Sequence, residues 1–182
     1  MTRLIILLSL VLSAAPAWAT TYWASTAGTN GCAAIDGAAD PGVYATPATI
    51  VSNGCMAAGD TVIFKAGTYT TAIAWTSLLP SGTSSAQTIA RSETKWGAVI
   101  AQTGNQTNAE ILITQRSYIT LDGFDIDASS QGFSDWSRCI YLQLSSAVTQ
   151  TGVQLLNNHC TGYQSNGFSS DSSGTVTYDN LL

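Results

Sequence analysis

The sequence predicts an all-β protein whose chain is wound as a solenoid, and three observations carry that prediction. The segment Gly59-Asp-Thr-Val-Ile-Phe-Lys-Ala-Gly-Thr-Tyr-Thr70 is a short alternating strand that ends in a Gly turn and restarts at once. Later units stack in alignment: Ile119-Thr-Leu-Asp-Gly-Phe124, Val153-Gln-Leu-Leu-Asn-Asn158 and Val176-Thr-Tyr-Asp-Asn-Leu181. Each has apolar residues at its first and third positions and a turn-forming Gly or Asn at its fifth. A second strand set keeps a fixed offset, since Ile111 lies eight residues before Ile119 and Phe168 eight before Val176. Variable loops on a fixed strand lattice are how solenoids accept insertions.

Taken in chain order, residues 1–19 read as a signal peptide. Arg3 is a positive start, Leu4 to Leu12 an apolar core too short to cross a bilayer, and Ala17-Trp-Ala19 a small-residue cleavage site. The expected location is therefore secreted or cell-surface, with the periplasm an alternative. Cys32, Cys55, Cys139 and Cys160 are then expected as disulfides; the local pairs 32–55 and 139–160 are favoured, with buried thiols the other reading. The absence of CxxC and a lone histidine, His159, argue against zinc.

Residues 20–58 are read as an N-terminal strand, loop and cap. Thr20 to Ser25 is an opening strand and Ala27 to Gly42 a polar loop. Thr46 is an N-cap before Pro47, opening a short helix with Ile50, Val51 and Met56 as its apolar stripe. That helix would cover the exposed edge of the first coil. Residues 59–182 are read as coils. Strands are expected at 62–64, from Tyr69, at 88–90, 98–101 and 111–113, with Pro80 to Gln87 and Gln102 to Asn108 as loops. Ile119, Leu121, Val153, Leu155, Val176 and Tyr178 are expected inward; Thr120, Gln154 and Thr177 outward. The phase flips at Asp122-Gly123 and at Asn157-Asn158, where Gly and Asn tolerate left-handed backbone; stacked Asn there is expected to form an amide ladder between coils.

Eleven acidic residues against six basic give a net charge of −5, with only 9% charged residues. Such a surface has no electrostatic footprint for nucleic acid, and no later segment is long and apolar enough to span a membrane. Oligomeric state is not readable.

These units resemble a right-handed parallel β-helix of the pectin lyase-like superfamily. The residues that carry the likeness are Ala58 to Tyr69, Ser117 to Ile126 and Val153 to Asn158, and it runs from about residue 20 to the end. The resemblance implies a secreted polysaccharide-acting protein, a lyase or hydrolase of acidic polysaccharide, or else a non-catalytic helix for glycan binding, adhesion or structure. Because such helices continue for more coils, the chain is expected to be the N-terminal portion of a longer one. The resemblance also implies a calcium-binding Asp group with a Lys or Arg base.

Asp122, Asp125 and Asp127, with Asp135 nearby, form the best carboxylate cluster. Asp125 and Asp127 share the outward face about 7 Å apart, and His159 falls over Asp125 one coil on, at roughly 5 Å. The pair Asp125 and Asp127 is the metal candidate. Arg116, Arg138 and His159 are the catalytic candidates, the two arginines flanking the cluster; Lys65 points outward far from it. The competing reading is a turn residue and solvated outward carboxylates. Trp75, Trp96, Trp136 and Tyr163 are candidates for stacking on sugar rings, against packing on the coil wall.

Overall fold

The computed structural model describes residues 19–28, 31–32, 44–103, 109–131, 138–144, 149–163, 166–171 and 176–179. The proposed signal segment, Asp135 and Trp136 lie outside them. Strand β1 (Thr21–Ala24) is followed by helix α1 (Pro47–Ser52), then β2 (Thr61–Phe64), β3 (Gly67–Tyr69) and helix α2 (Trp75–Leu78). After these come β4 (Thr88–Ser92), β5 (Ala98–Ile100), β6 (Ala109–Thr114), β7 (Ile119–Asp122) and β8 (Asp125–Asp127). The last described elements are β9 (Arg138–Gln143), β10 (Val153–Leu156), β11 (His159–Thr161), β12 (Phe168–Ser170) and β13 (Val176–Asp179).

These strands make three sheets among the described residues. A six-stranded sheet runs β1-β2-β4-β7-β10-β13, a four-stranded one β11-β8-β5-β3, and a three-stranded one β12-β9-β6. Each pairing within them is parallel. From β4 onward the chain visits the first sheet, then the second, then the third, and returns one strand further on. The architecture is all-β with parallel sheets, compatible with a solenoid.

Register follows the sequence repeat. Thr88 pairs with Ile119, and Val153 with Val176, while Thr120 faces Gln154. The Ile119, Val153 and Val176 positions therefore form one column. In the third sheet Ile111, Ile140 and Phe168 align. Strand alternation sends Ile119, Leu121, Val153 and Leu155 into the core, each at most 1% exposed. Thr120 points outward yet is buried, because Gln87 and Gln154 cover it through hydrogen bonds of 2.7 and 3.2 Å to its hydroxyl.

The N-terminal end is closed by the expected helix. Thr46 Oγ1 accepts from the Thr49 amide at 3.1 Å, and Pro47 opens α1. Gly54, at φ +60°, lies beyond the C-cap residue Asn53. Ile50 is buried, with Val51 and Met56 packed against the core. The second helix, α2, stands where the third sheet begins, against β6. It delivers Trp75 into the interior. Trp75 stacks on Phe64 at 5.5 Å and 15°, and Phe124 meets both rings edge-on at 5.1 and 5.8 Å.

Both local disulfides are present. Cys32 joins Cys55, and Cys139 on β9 joins Cys160 on β11, tying the third sheet to the second. No helix among the described residues is long and apolar enough to cross a membrane.

Candidate functional site

The corner between the first and second sheets gathers most of the outward chemistry. Three residues of successive coils adopt left-handed backbone there: Trp96 at φ 64°, Gly123 at 74° and Asn157 at 53°. A left-handed tryptophan is uncommon and costs about 1–2 kcal/mol. Hydrogen bonds between coils hold it. The Trp96 amide donates to Gly123 O at 2.6 Å, and the Gly123 amide to Leu156 O at 3.0 Å. The indole Nε1 donates to Asn157 O at 2.7 Å.

The expected amide ladder takes a different form. Asn158 is fully buried, and its side chain bonds the backbone of the coil below. It accepts from the Phe124 amide at 3.1 Å and donates to Leu121 O at 3.0 Å. Asn157 Nδ2 donates to Asp122 Oδ1 at 2.9 Å. Polar backbone at a bend has no strand partner, so a side chain from the next coil supplies it.

A polar groove of about 240 Å³ opens at this corner, lined by Arg91, Glu93, Lys95, Asp122 and Asn157. Its carboxylates are engaged. Glu93 accepts from Lys65 Nζ at 2.8 Å, and Asp122 from Asn157. Arg91 sits opposite Asp122 in register but makes no ion pair among the described residues. Lys95 makes none either; its ammonium lies 4.5 Å from the Trp96 ring. Asp122 keeps its negative charge, because an amide donor does not neutralise a carboxylate, so the groove sets Arg91 and Lys95 against one uncompensated carboxylate.

Beside the groove, His159 lies directly over Asp125, as the repeat alignment predicts. Nδ1 is 2.9 Å from Asp125 Oδ1, with both side chains about one-third exposed. The Trp96 ring is 5.3 Å from the imidazole.

The other candidates are distributed differently. Asp127 accepts from the amide and hydroxyl of Ser129 at 3.0 and 2.6 Å, so it closes a local turn. No group of three or more His, Cys, Asp or Glu among the described residues is placed to hold a metal ion. Arg116 and Arg138 both have contacts at the third sheet. Arg116 follows the third sheet and donates Nε–H to Thr76 O at 2.9 Å, while Arg138 begins β9 and lies over the Tyr141 ring at 4.5 Å. Arg138 and Tyr141 belong to β9 of the third sheet, whereas Asp125 belongs to β8 of the second. Lys65 points outward, held by Glu93 between the rings of Trp23 and Tyr44.

Trp75 is not available to a sugar: at 1% exposure it is core, because α2 turns it inward. Trp96 is half-buried and already covered by Lys95 and His159. Tyr163, 49% exposed, keeps an open ring. Sequence reading passed over Arg91, Lys95 and the backbone of Trp96; the spacing of Arg91 from Asp122, one repeat apart, was the signal available for the first.

A second hollow of about 120 Å³ lies between β1, α1 and β3, where hydroxyls of Ser25, Thr26 and Thr68 surround buried Tyr69. It carries no charged side chain. A scan against protein-family models and searches of curated proteins and of solved structures find no match to this chain.

Proposed function

We propose that the chain is a right-handed parallel β-helix of the pectin lyase-like kind, exported by residues 1–19, that acts on acidic polysaccharide outside the cell. The stacking order supports the fold reading, because parallel strands joined by crossovers in one sheet adopt the right-handed connection in nearly all cases. Two disulfides fit an oxidising compartment. The observation that carries the function is the corner groove. In a chain of net charge −5, Arg91 and Lys95 line one groove and neither is ion-paired among the described residues; with Glu93 held by Lys65, they outnumber the one uncompensated carboxylate there, Asp122. A polymer of uronate carboxylates has the charge to use them, with guanidinium suited to bidentate carboxylate binding. Tyr163 offers a ring face for a pyranose.

A second reading, non-catalytic glycan binding, is favoured by the internal partners of Asp122, Asp125 and Asp127. Affinity electrophoresis through polygalacturonate, alginate and neutral dextran tests the shared core of both. Retardation is expected in the acidic gels only. Arg91→Ala and Lys95→Ala each weaken it about fivefold, from roughly 1 kcal/mol for a half-exposed charged contact. Salt weakens it further. Equal retardation in dextran, untouched by the double substitution, would discard the proposal.

A further inference from the structure

Resting on the export reading of residues 1–19, we infer that removal of that segment turns the Thr20 nitrogen into an α-ammonium paired with the buried carboxylate of Asp60. Processing then locks the first strand onto the coil. Asp60 is 4% exposed. Its Oδ1 accepts from the Thr20 amide at 2.8 Å, and its Oδ2 from the Ala57 amide at 2.7 Å. It makes no ion pair with a side chain among the described residues. The carboxylate is therefore buried with two backbone donors and no counter-charge. One of those donors is the first nitrogen after Ala17-Trp-Ala19, the small-residue site where cleavage is expected. Ala19 is exposed and Thr20 half-buried, so this peptide bond stands at the edge of the packed chain.

Hydrolysis of the Ala19–Thr20 bond by a leader-removing peptidase adds the oxygen of water to the Ala19 carbonyl carbon and breaks its bond to nitrogen. Ala19 keeps a carboxylate, and both protons of the water end on Thr20. An α-amine, with an ordinary pKa of about 8, is mostly ammonium at neutral pH. The nitrogen has no distance to travel, since 2.8 Å from Oδ1 is already the length of a charged hydrogen bond. A neutral donor is exchanged for a cation beside a buried anion, where a missing counter-charge is costly. Both partners are held in place. Thr61 N donates to Thr20 O at 2.9 Å, Ile89 N to Asp60 O at 2.9 Å, and Gly59 N to the Thr88 hydroxyl at 2.9 Å. Strand β1 stands at the end of its sheet, with Thr21 opposite Thr61 on β2. An ion pair at its first residue fixes that register, and a start displaced by one residue moves the charge about 3.3 Å away. The leader-bearing chain lacks the charge, so its first strand is held more weakly until it is cut.

The test expresses the chain with residues 1–19 in a secreting host and reads the first residue of the product by N-terminal sequencing and intact mass. Thr20 is the expected start. Urea unfolding then compares that product with a chain that keeps Ala19 as its one extra residue, each with Asp60 and with Asp60→Asn. Keeping Ala19 restores an amide at Thr20 and moves the ammonium outward while the rest of the chain is unchanged. The Thr20-starting product should have an unfolding equilibrium constant about tenfold smaller than the Ala19-bearing chain, because a charge-assisted bond exceeds a neutral one. That difference should vanish in the Asp60→Asn pair. Acylation of the α-amine at neutral pH should be about tenfold slower in the Thr20-starting chain, where the carboxylate holds the amine protonated. Equal stability and equal acylation in the two chains that carry Asp60 overturn the inference and leave the export reading standing, even where Asp60→Asn fails to fold. A stability difference that persists unchanged in the Asp60→Asn pair also overturns it. A product that starts elsewhere, or keeps residues 1–19, removes the reading on which the inference rests.

Discussion

At the scale of single residues, burial decides which polar groups respond to solvent. Tyr69 is buried, and its hydroxyl lies 3.1 Å from Ala24 O and 2.9 Å from Lys65 O. Burial pushes its pKa well above the ordinary value of 10.0, with nearby Glu93 adding to the rise and Lys65 opposing it. The folded protein therefore keeps this proton where the unfolded chain releases it. The associated stability is complete below about pH 10 and declines as pH rises beyond it. Denaturant midpoints measured from about pH 9 to about pH 11 should fall, and Tyr69→Phe should flatten the fall while lowering the neutral-pH midpoint. Trp75→Ala should cost about 3–5 kcal/mol by opening a cavity beside Phe64 and Phe124. Trp75→Phe keeps a ring and deletes an indole N–H that meets no acceptor among the described residues; its loss should be much smaller. Trp75 and Trp96 show where reading a sequence stops. Both stand beside loop-like stretches, and only the inward turn of α2 and the left-handed corner separate a core ring from a surface one.

At the scale of elements, local signals were legible where backbone chemistry dictates them. Thr46-Pro47 announces α1, Gly67 opens β3 after the turn that ends β2, and Gly123 and Asn157 mark the corners by their tolerance of positive φ. The Asp125–His159 contact followed from aligning repeats, because parallel register fixes which outward side chains meet. Helix α2 was missed, since Trp75–Leu78 has no N-cap side-chain bond and only tertiary packing supports it. Strand β9 was missed because Cys139 and Ile140 are buried side by side, which breaks the alternation that marks a half-buried strand. With β9 unseen, Arg138 was placed only by its nearness in sequence to the Asp cluster. The cap gives a direct test: Thr46→Ala should cost about 1 kcal/mol in unfolding free energy, read from chemical denaturation. Replacing Cys139 and Cys160 together by Ser should cost about 3 kcal/mol, the loop-closure value for a bridge spanning 21 residues. A change well under 1 kcal/mol in that pair would mean the second and third sheets hold each other without the bridge.

At the scale of the whole molecule, stability is set by stacking of neighbours. A coil paired on both sides gains two interfaces, and one at the end gains a single one. Hydrogen exchange followed by mass spectrometry should therefore find β4 and β7 slowest and β1 faster, with protection graded along the stack; uniform protection would contradict that ordering. The same economy makes the tight corner between β7 and β8 intolerant of a one-residue change. Only Gly123 and Phe124 separate β7 from β8, so the phase of the second sheet is counted out residue by residue. One amino acid inserted after Gly123 would swing Ile126 into water and drive Asp125 inward. Insertions between the second and third sheets change only how far a loop protrudes. Where the corner is two residues long the reading frame of the packing is locked; the five residues between β4 and β5 show that only a longer, self-contained loop can be let in on that side.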